Sequence, residues 1–571
     1  MDRRTFVRIG TASLCSLPVL TTASWARSFA IPAETKPGWL LEVIKANDQQ
    51  IDQIRAHRVK ESGNPAFGGF KDGEDIPNPQ STADFVRRCC CAISCPESTF
   101  YRSKELLTET GQAVQYLLKV QHADGTIDLP ATNFHSTPDT GFIVKRLTTA
   151  YSLLNRSGAP GMETVLLPLK TFLQRAGEAL TVGGIHTPNH RWVVSAALTK
   201  LNALWPDPRY VKRIEQWLGE HIDLDEDGQF NERSTLIYSP LTDRLLITIA
   251  KGMNKPELFD YVRKNLAMTL YYIHPNGEVV SDASGRQDKA LVGTLEGYYY
   301  PARFMALRDK NGELAALARQ IEKTVLLKGV YFLDYFLDDP AFWNELPPDK
   351  PLPTNYVKPF PHSGLVRIRR GNWDSTILKT NPVFMTFSKG EAVLQGLRFS
   401  ASFFGKGQFQ TENIEKQGDS WVLTQSLKGP YYQPVAKNEI DPDGNWEKMP
   451  HAKRKQSDIQ AYEAKVTVRE TSNGMEAQIQ ITGTENIPVS VELIFRAGGT
   501  LAGVTKHPTR ANAHLLSGES GSYTVGKDTI TFGPGKALHK NVVLRGALPP
   551  MDAPTVYLTG FTPFQHTIKL S

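Results

Sequence analysis

Of 571 residues, 40% are apolar, 22% charged and 9% aromatic, a composition that excludes a disordered, collagenous or disulfide-stapled chain. Lys and Arg (65) barely exceed Asp and Glu (59), for a formal charge of +6, and no long basic run accompanies the excess. Nucleic acid is therefore not an expected partner, whereas an anionic small polymer is compatible. No apolar stretch reaches the roughly 18 residues that cross a bilayer, so no membrane span is expected.

Residues 1–30 read as an export signal. Arg3 and Arg4 precede Phe6, a modestly apolar stretch runs from Ile9 to Ala23, and small-x-small sites end at Ala26 and Ala30. The pattern resembles a twin-arginine signal and implies a periplasmic or cell-surface protein. The next cysteines, Cys89, Cys90, Cys91 and Cys95, crowd together where a disulfide framework would spread. Adjacent cysteines also pair badly, so reduced thiols packed as small hydrophobes around a helix are expected.

Residues 31–340 carry helical periodicity. Leu40, Val43, Ile44, Ile51 and Ile54 mark one helix face, and three later segments (142–154, 192–204 and 241–250) are apolar nearly all round. Turn signals recur at Asp124-Gly125, Gly183-Gly184, Asp227-Gly228 and Asn276-Gly277. A helix–turn–helix unit of about fifty residues is the mark of helix pairs stacked side by side, as an open superhelix or a closed α/α toroid. Equivalent turns then fall at one end of the array, and the residues after them share a rim. A Pro-rich linker follows (341–363), and from 364 to 571 the period becomes two. Strands are expected at 365–369, 383–387, 489–495 and 523–532, with a hairpin about Asn473-Gly474. An antiparallel β-sandwich fits this half. Residues 433–457 read as an irregular polar insertion.

The nominated rim holds Asn133, His135 and Asp139, then Asn189, His190 and Arg191, then Glu232, Arg233 and Tyr238. The fourth turn adds Asp282, Arg286, Gln287 and Asp288, leading to Tyr298-Tyr299-Tyr300, which could stack on sugar rings or pack in the core. These parts suit β-elimination on a uronate. A guanidinium neutralises the carboxylate and acidifies the C5 proton, a neutral His or Tyr removes that proton, and a donor serves the departing O4. His135 is assigned as base, Arg191 as carboxylate clamp and Tyr238 as donor; Asn133, Asn189, His190, Glu232 and Arg233 are assigned to substrate binding. His190 remains an alternative base and Arg233 an alternative clamp.

The helix-pair array with a C-terminal β domain resembles the toroid polysaccharide lyases of heparinase type. The stretches Asn133-Phe134-His135-Ser136-Thr137-Pro138-Asp139-Thr140 and Pro188-Asn189-His190-Arg191-Trp192 most resemble the bacterial L-rhamnose-α-1,4-D-glucuronate lyases. That resemblance implies release of terminal rhamnose from arabinogalactan-type glycans, with a His base and an Arg on the uronate, carried here onto His135 and Arg191. The wider toroid lyases imply a role for Tyr238 as acid or base. The expected partner is a glucuronate-containing oligosaccharide or polysaccharide, with no cofactor and no metal. A glycosaminoglycan lyase, a toroid glycoside hydrolase using Glu232 and an Asp, and a non-catalytic glycan-binding protein are the alternatives. Asp223-Leu224-Asp225-Glu226-Asp227-Gly228 begins like a calcium loop, but its twelfth position is Ser234 instead of a bidentate Glu, so a solvated turn is the expected reading.

Overall fold

A computed structural model describes residues 35–571; the export signal read at 1–30 lies outside them. Among the described residues, twelve α-helices occupy the first half: α1 (Gly38–Ile54), α2 (Pro79–Ser94), α3 (Lys104–Val120), α4 (Thr137–Ser157), α5 (Glu163–Val182), α6 (Pro188–Leu204), α7 (Pro208–Leu218), α8 (Tyr238–Gly252), α9 (Leu258–Thr269), α10 (Tyr299–Asp309), α11 (Gly312–Thr324) and α12 (Leu333–Asp338). They pair as α2–α3, α4–α5, α6–α7, α8–α9 and α10–α11. The even-numbered members α2 to α10 pack on one another in succession as an inner ring. Helix α1 packs against α2 and against residues 326–332, which in turn meet α11, so the contacts close into a toroid.

The three segments expected to be apolar all round are the inner helices α4, α6 and α8. Each is wedged between two inner neighbours and its own outer partner, which accounts for apolar residues on several of its sides. The four cysteines are free and buried, three of them on α2. Burial pushes the Cys90 thiol up to about 12, which keeps it protonated and inert.

Between an outer helix and the next inner one the chain makes a tight glycine turn. Gly125 (φ +85°) and Gly228 (φ +94°) lie where a Cβ would come within 2.1 Å of the Arg175 carbonyl oxygen and 2.6 Å of that of Lys264, so glycine permits both the left-handed backbone and the approach to the outer helix. Gly183-Gly184 is different: Gly183 is extended after α5, and the chain enters α6 without a left-handed turn.

The second half is two facing sheets. One has eight strands and includes the expected hairpin, Gln456–Thr471 against Gly474–Gly483, with Val466 opposite Ile479. The other has ten strands and includes Leu365–Arg370, Met385–Lys389, Ala392–Ala401 and Pro488–Phe495. Their inner faces share one core of Val466, Ile479, Ile481, Phe399, Val491 and Leu558. Among the described residues the pairings are antiparallel except that of Ala513–Leu515 with Thr555–Phe561 and the isolated bridge of Ala537 with Thr559. Strand structure begins earlier than the period-two pattern indicates. Asn355–Phe360 lies in the Pro-rich segment and forms an edge strand, where the missing N–H of Pro359 is tolerated. Of residues 433–457, those before Gln456 contain only short 3₁₀ turns, with the exposed Trp446 beneath Arg454.

Buried polar contacts join the halves. Arg367 pairs with Asp374 and donates to the Tyr271 carbonyl (3.1 Å), and His274 meets Asp374 at 2.9 Å. Although burial alone would raise it, Arg367 and His274 hold the Asp374 carboxyl down at about 2. Replacing Arg367 by Met leaves that carboxylate buried and short of a partner, a change that typically costs about 3–5 kcal/mol. The Arg367→Met protein should therefore melt well below the wild type in calorimetry at neutral pH. Because the folded pKa is depressed, the stabilisation is present above the unfolded value near 4 and is lost as pH falls towards about 2.

Candidate active site

The inner helices all begin at the same end of the toroid, so the rim expected from the turns is a ring of helix N-termini. Each carries unsatisfied N–H groups and a partial positive charge, a setting that favours anions. Helix α4 is capped by Ser136, whose Oγ accepts from the Asp139 amide (3.2 Å). Helices α6 and α8 open at Pro188 and Tyr238.

At the α4 end, Asn133 and Ser136 both donate to Asp139 Oδ2, at 2.9 and 2.6 Å. His135 has φ +47°, with its amide on Asp128 Oδ1 (2.7 Å) and its ring stacked 3.7 Å from His122. Its Nδ1 lies 2.7 Å from Asp124 Oδ2. Bonds from Thr126 and then from His135 hold the Asp124 carboxyl down at about 2, so the ring nitrogen is the donor in that pair. His135 lines a cavity of about 380 Å³ with Asn133, Phe134 and His186.

His186 leads to the α6 end, its ring 4.8 Å from that of His190. His190 is half-buried, its Nδ1 has no hydrogen-bond partner, and it meets Phe142 edge-on. Burial, the neighbouring His186 and the charge of Arg286 lower its pKa to about 4, which leaves a neutral imidazole at pH 7. Beside it, Asn189 Nδ2 donates to both Glu232 oxygens, at 2.8 and 2.7 Å. Burial raises the Glu232 carboxyl, against that hydrogen bond and the charge of Arg286.

The arginines divide by what already occupies them. Arg191 bonds to Asp223 (3.0 Å), Glu220 (3.4 Å) and the Pro188 and His221 carbonyls, and its guanidinium lies over Trp192. Arg233 reaches across to the His362 and Ser363 carbonyls of the second half. Both are tying structure together. Arg286 forms no ion pair among the described residues; its guanidinium lies 5.1 Å from the Tyr238 ring centroid and its buried Nε lacks a partner. Gln287 Nε2 donates to Tyr238 Oη at 2.7 Å. The rule that follows each turn onto the rim reaches Arg286 and Gln287, but residue pattern alone gives no sign that Arg286 is the uncommitted guanidinium. Tyr298, Tyr299 and Tyr300 are not available for sugar stacking: all three are buried, with Tyr298 Oη on the Thr235 carbonyl and Tyr299 Oη on Glu322.

A second cavity, of about 520 Å³, is lined by Phe142 and Lys145 of α4, Pro240 and Arg244 of α8, and Lys328 and Tyr331 of the closing segment. Inner helices that are not neighbours face it together, so it is the bore of the toroid. Ile237 and Phe142 line it while their neighbours Tyr238 and His190 stand on the rim, which places those two at its mouth.

The aspartates of the calcium-like turn point to separate partners: Asp223 to Arg191 and Trp192, Asp225 to the Gln229 amide, and Asp227 to the Ser363 amide. Among the described residues no group of three or more His, Cys, Asp or Glu is placed to hold a metal ion, and no helix is long and apolar enough to cross a membrane.

A toroid of helix pairs followed by a two-sheet β domain is the architecture of solved polysaccharide lyases. The chain is similar to the chondroitin AC lyase of Streptomyces coelicolor A3 solved with chondroitin sulphate (12% identity, TM-score 0.56, covering 95% of this chain and 80% of that one). It is similar also to heparinase III (11%, 0.53, 98% and 85%) and to a Paenibacillus xanthan lyase (9%, 0.57, 86% and 51%). These identities establish the shared fold. No family model matches the chain, and no curated protein matches it in sequence.

The site generates one test independent of any substrate. In histidine-labelled protein followed by NMR, the His190 ring should stay neutral on acidification until about pH 4; protonation above pH 6 would contradict the burial described for it.

Proposed function

We propose that the rim catalyses β-elimination on a uronate-containing polysaccharide. The observation that carries this reading is the unpaired Arg286 guanidinium set against Tyr238, within the field of a neutral His190 and of Glu232. Arg286 neutralises the uronate carboxylate with its planar fork and stabilises the enolate-like charge that develops when C5 loses its proton. Asn189 and the buried Glu232, joined by the Asn189 Nδ2 bonds, stand beside this position, and burial raises the Glu232 carboxyl. The neutral His190 takes the C5 proton; the electron pair forms the C4–C5 double bond and expels O4, which leaves with the proton of the Tyr238 hydroxyl. The products are an unsaturated uronate and a free hydroxyl on the departing sugar.

This assignment moves the clamp from Arg191 to Arg286, because Arg191 would have to abandon Asp223 and Glu220 to serve. It also places His135, held by Asp124 and lining the adjoining cavity, against a flanking sugar. The likeness to polysaccharide lyases of the same architecture supports the reaction class. The narrower substrate, a glucuronate capped by L-rhamnose, is supported by the residues at 133–140 and 188–192. An exported protein is part of the same reading, since such glycans lie outside the cell, and Arg3 and Arg4 support it.

Incubation with a rhamnose-capped glucuronoglycan should raise the ultraviolet absorbance of an unsaturated uronate. Arg286→Ala and Tyr238→Phe should each lower kcat about 10²–10⁴-fold, while His135→Ala and Arg191→Lys should act mainly on KM or stability. A saturated uronate product would instead point to hydrolysis with Glu232, and binding without any product would point to a glycan-binding role.

A further inference from the structure

The bore is more basic than the chemistry at its mouth requires. Lys145, Arg146, Arg244 and Lys328 line it with a single carboxylate, Glu296. Glu296 accepts from Thr294, and Thr294 Oγ1 in turn accepts from Lys328 (3.0 Å). Arg244 is 9% exposed, and its Nε is buried without a hydrogen-bond partner. It stacks on Phe332 (4.9 Å) and Tyr335 (5.8 Å) and forms no ion pair among the described residues. Lys145 is buried too, its ammonium over the face of Phe142 at 5.4 Å, and no carboxylate is bonded to it among the described residues. Arg146 has one long bond, to Gln80 Oε1 at 3.5 Å. The nearby carboxylates Asp84 and Asp334 act on Arg146 and Asp334 on Lys145 at a distance, but they are bonded to Arg87 and Arg88.

Buried cations without counter-ions are costly, and cores that serve only stability fill such space with apolar groups. The cavity is also large enough for a sugar ring and open at the rim. We propose that the bore is a second anion-binding subsite, in which Arg244, Lys145 and Lys328 hold the acidic substituent, carboxylate or sulfate, of the sugar next to the reacting uronate. This inference rests on the lyase reading and deepens it: with the rhamnose cap on one side of the uronate, the bore takes the sugar on the other side and selects one that bears an acid group. Burial and the neighbouring Arg244 push the Lys145 ammonium well down, and an anion in the bore reverses that effect by restoring a partner.

The test is calorimetric titration of the full chain with inorganic sulfate and, separately, with D-glucuronate. At least one should bind the wild type, and its affinity should fall about tenfold or more in Arg244→Met, the loss expected for charged hydrogen bonds. Lys328→Met, on an exposed side chain, should weaken binding in the same direction and serves if Arg244→Met does not fold. Compared in the Arg286→Ala protein, tighter sulfate binding identifies a sulfate ester as the natural group, and tighter glucuronate binding identifies a carboxylate. Arg286→Ala should leave sulfate affinity unchanged. Binding lost in Arg286→Ala but retained in both bore variants would overturn the proposal, as would no binding of either anion. If the bore variants lose the anion while no unsaturated product ever forms, the subsite stands and the lyase reading fails.

Discussion

The arrangement depends on the parallel direction of the inner helices. Each helix pair returns the chain to the same end of the toroid, so α4, α6, α8 and α10 all present their N-termini to one rim. Each terminus contributes roughly half a positive charge over its first turn, and side chains in that turn are held by a rigid helix. The ring thereby makes a concave, anion-seeking surface before any side chain is considered. His190 stands half-buried on this rim, where burial, His186 and Arg286 disfavour its charged form and only Asp139 favours it.

The β half holds this rim in register. Arg233 follows directly on Glu232 and is fixed by the His362 and Ser363 carbonyls, while Asp227, in the turn before it, accepts from the Ser363 amide. Arg496 and Glu278 form a further pair beside the fourth turn, and Asn381 donates to the Asp282 carbonyl four residues before Arg286. The sheets therefore brace the third and fourth rim segments, which supply Glu232, Tyr238 and Arg286. A long-range polar network of this kind costs stability if half broken and confers position when complete.

Much of this plan was legible in the residue pattern, because periodicity reports burial directly. The all-apolar segments 142–154, 192–204 and 241–250 could only be inner helices, and the glycine turns marked which end of each helix faced the site. His190, Tyr238 and Arg286 reached the rim list by that rule. What stayed hidden were pairings distant in sequence. Arg191 looks as free as Arg286 until Asp223 and Glu220 are seen folding back onto it from some thirty residues on. The three consecutive tyrosines look like a stacking platform until Phe336, Phe342 and Glu322 close around them. The basic bore was illegible for the same reason, since Lys145, Arg244 and Lys328 come together only when the ring closes.

The central claim is that a uronate carboxylate docks on Arg286 at the mouth of the bore. Its most direct test is a crystal structure of the Tyr238→Phe protein with a glucuronate-containing oligosaccharide. The account predicts the carboxylate in a forked bond with the Arg286 guanidinium, C5 facing His190 and O4 facing residue 238. A sugar bound with its carboxylate on Arg191, or lying across the cavity beside His135 with Arg286 untouched, would contradict it.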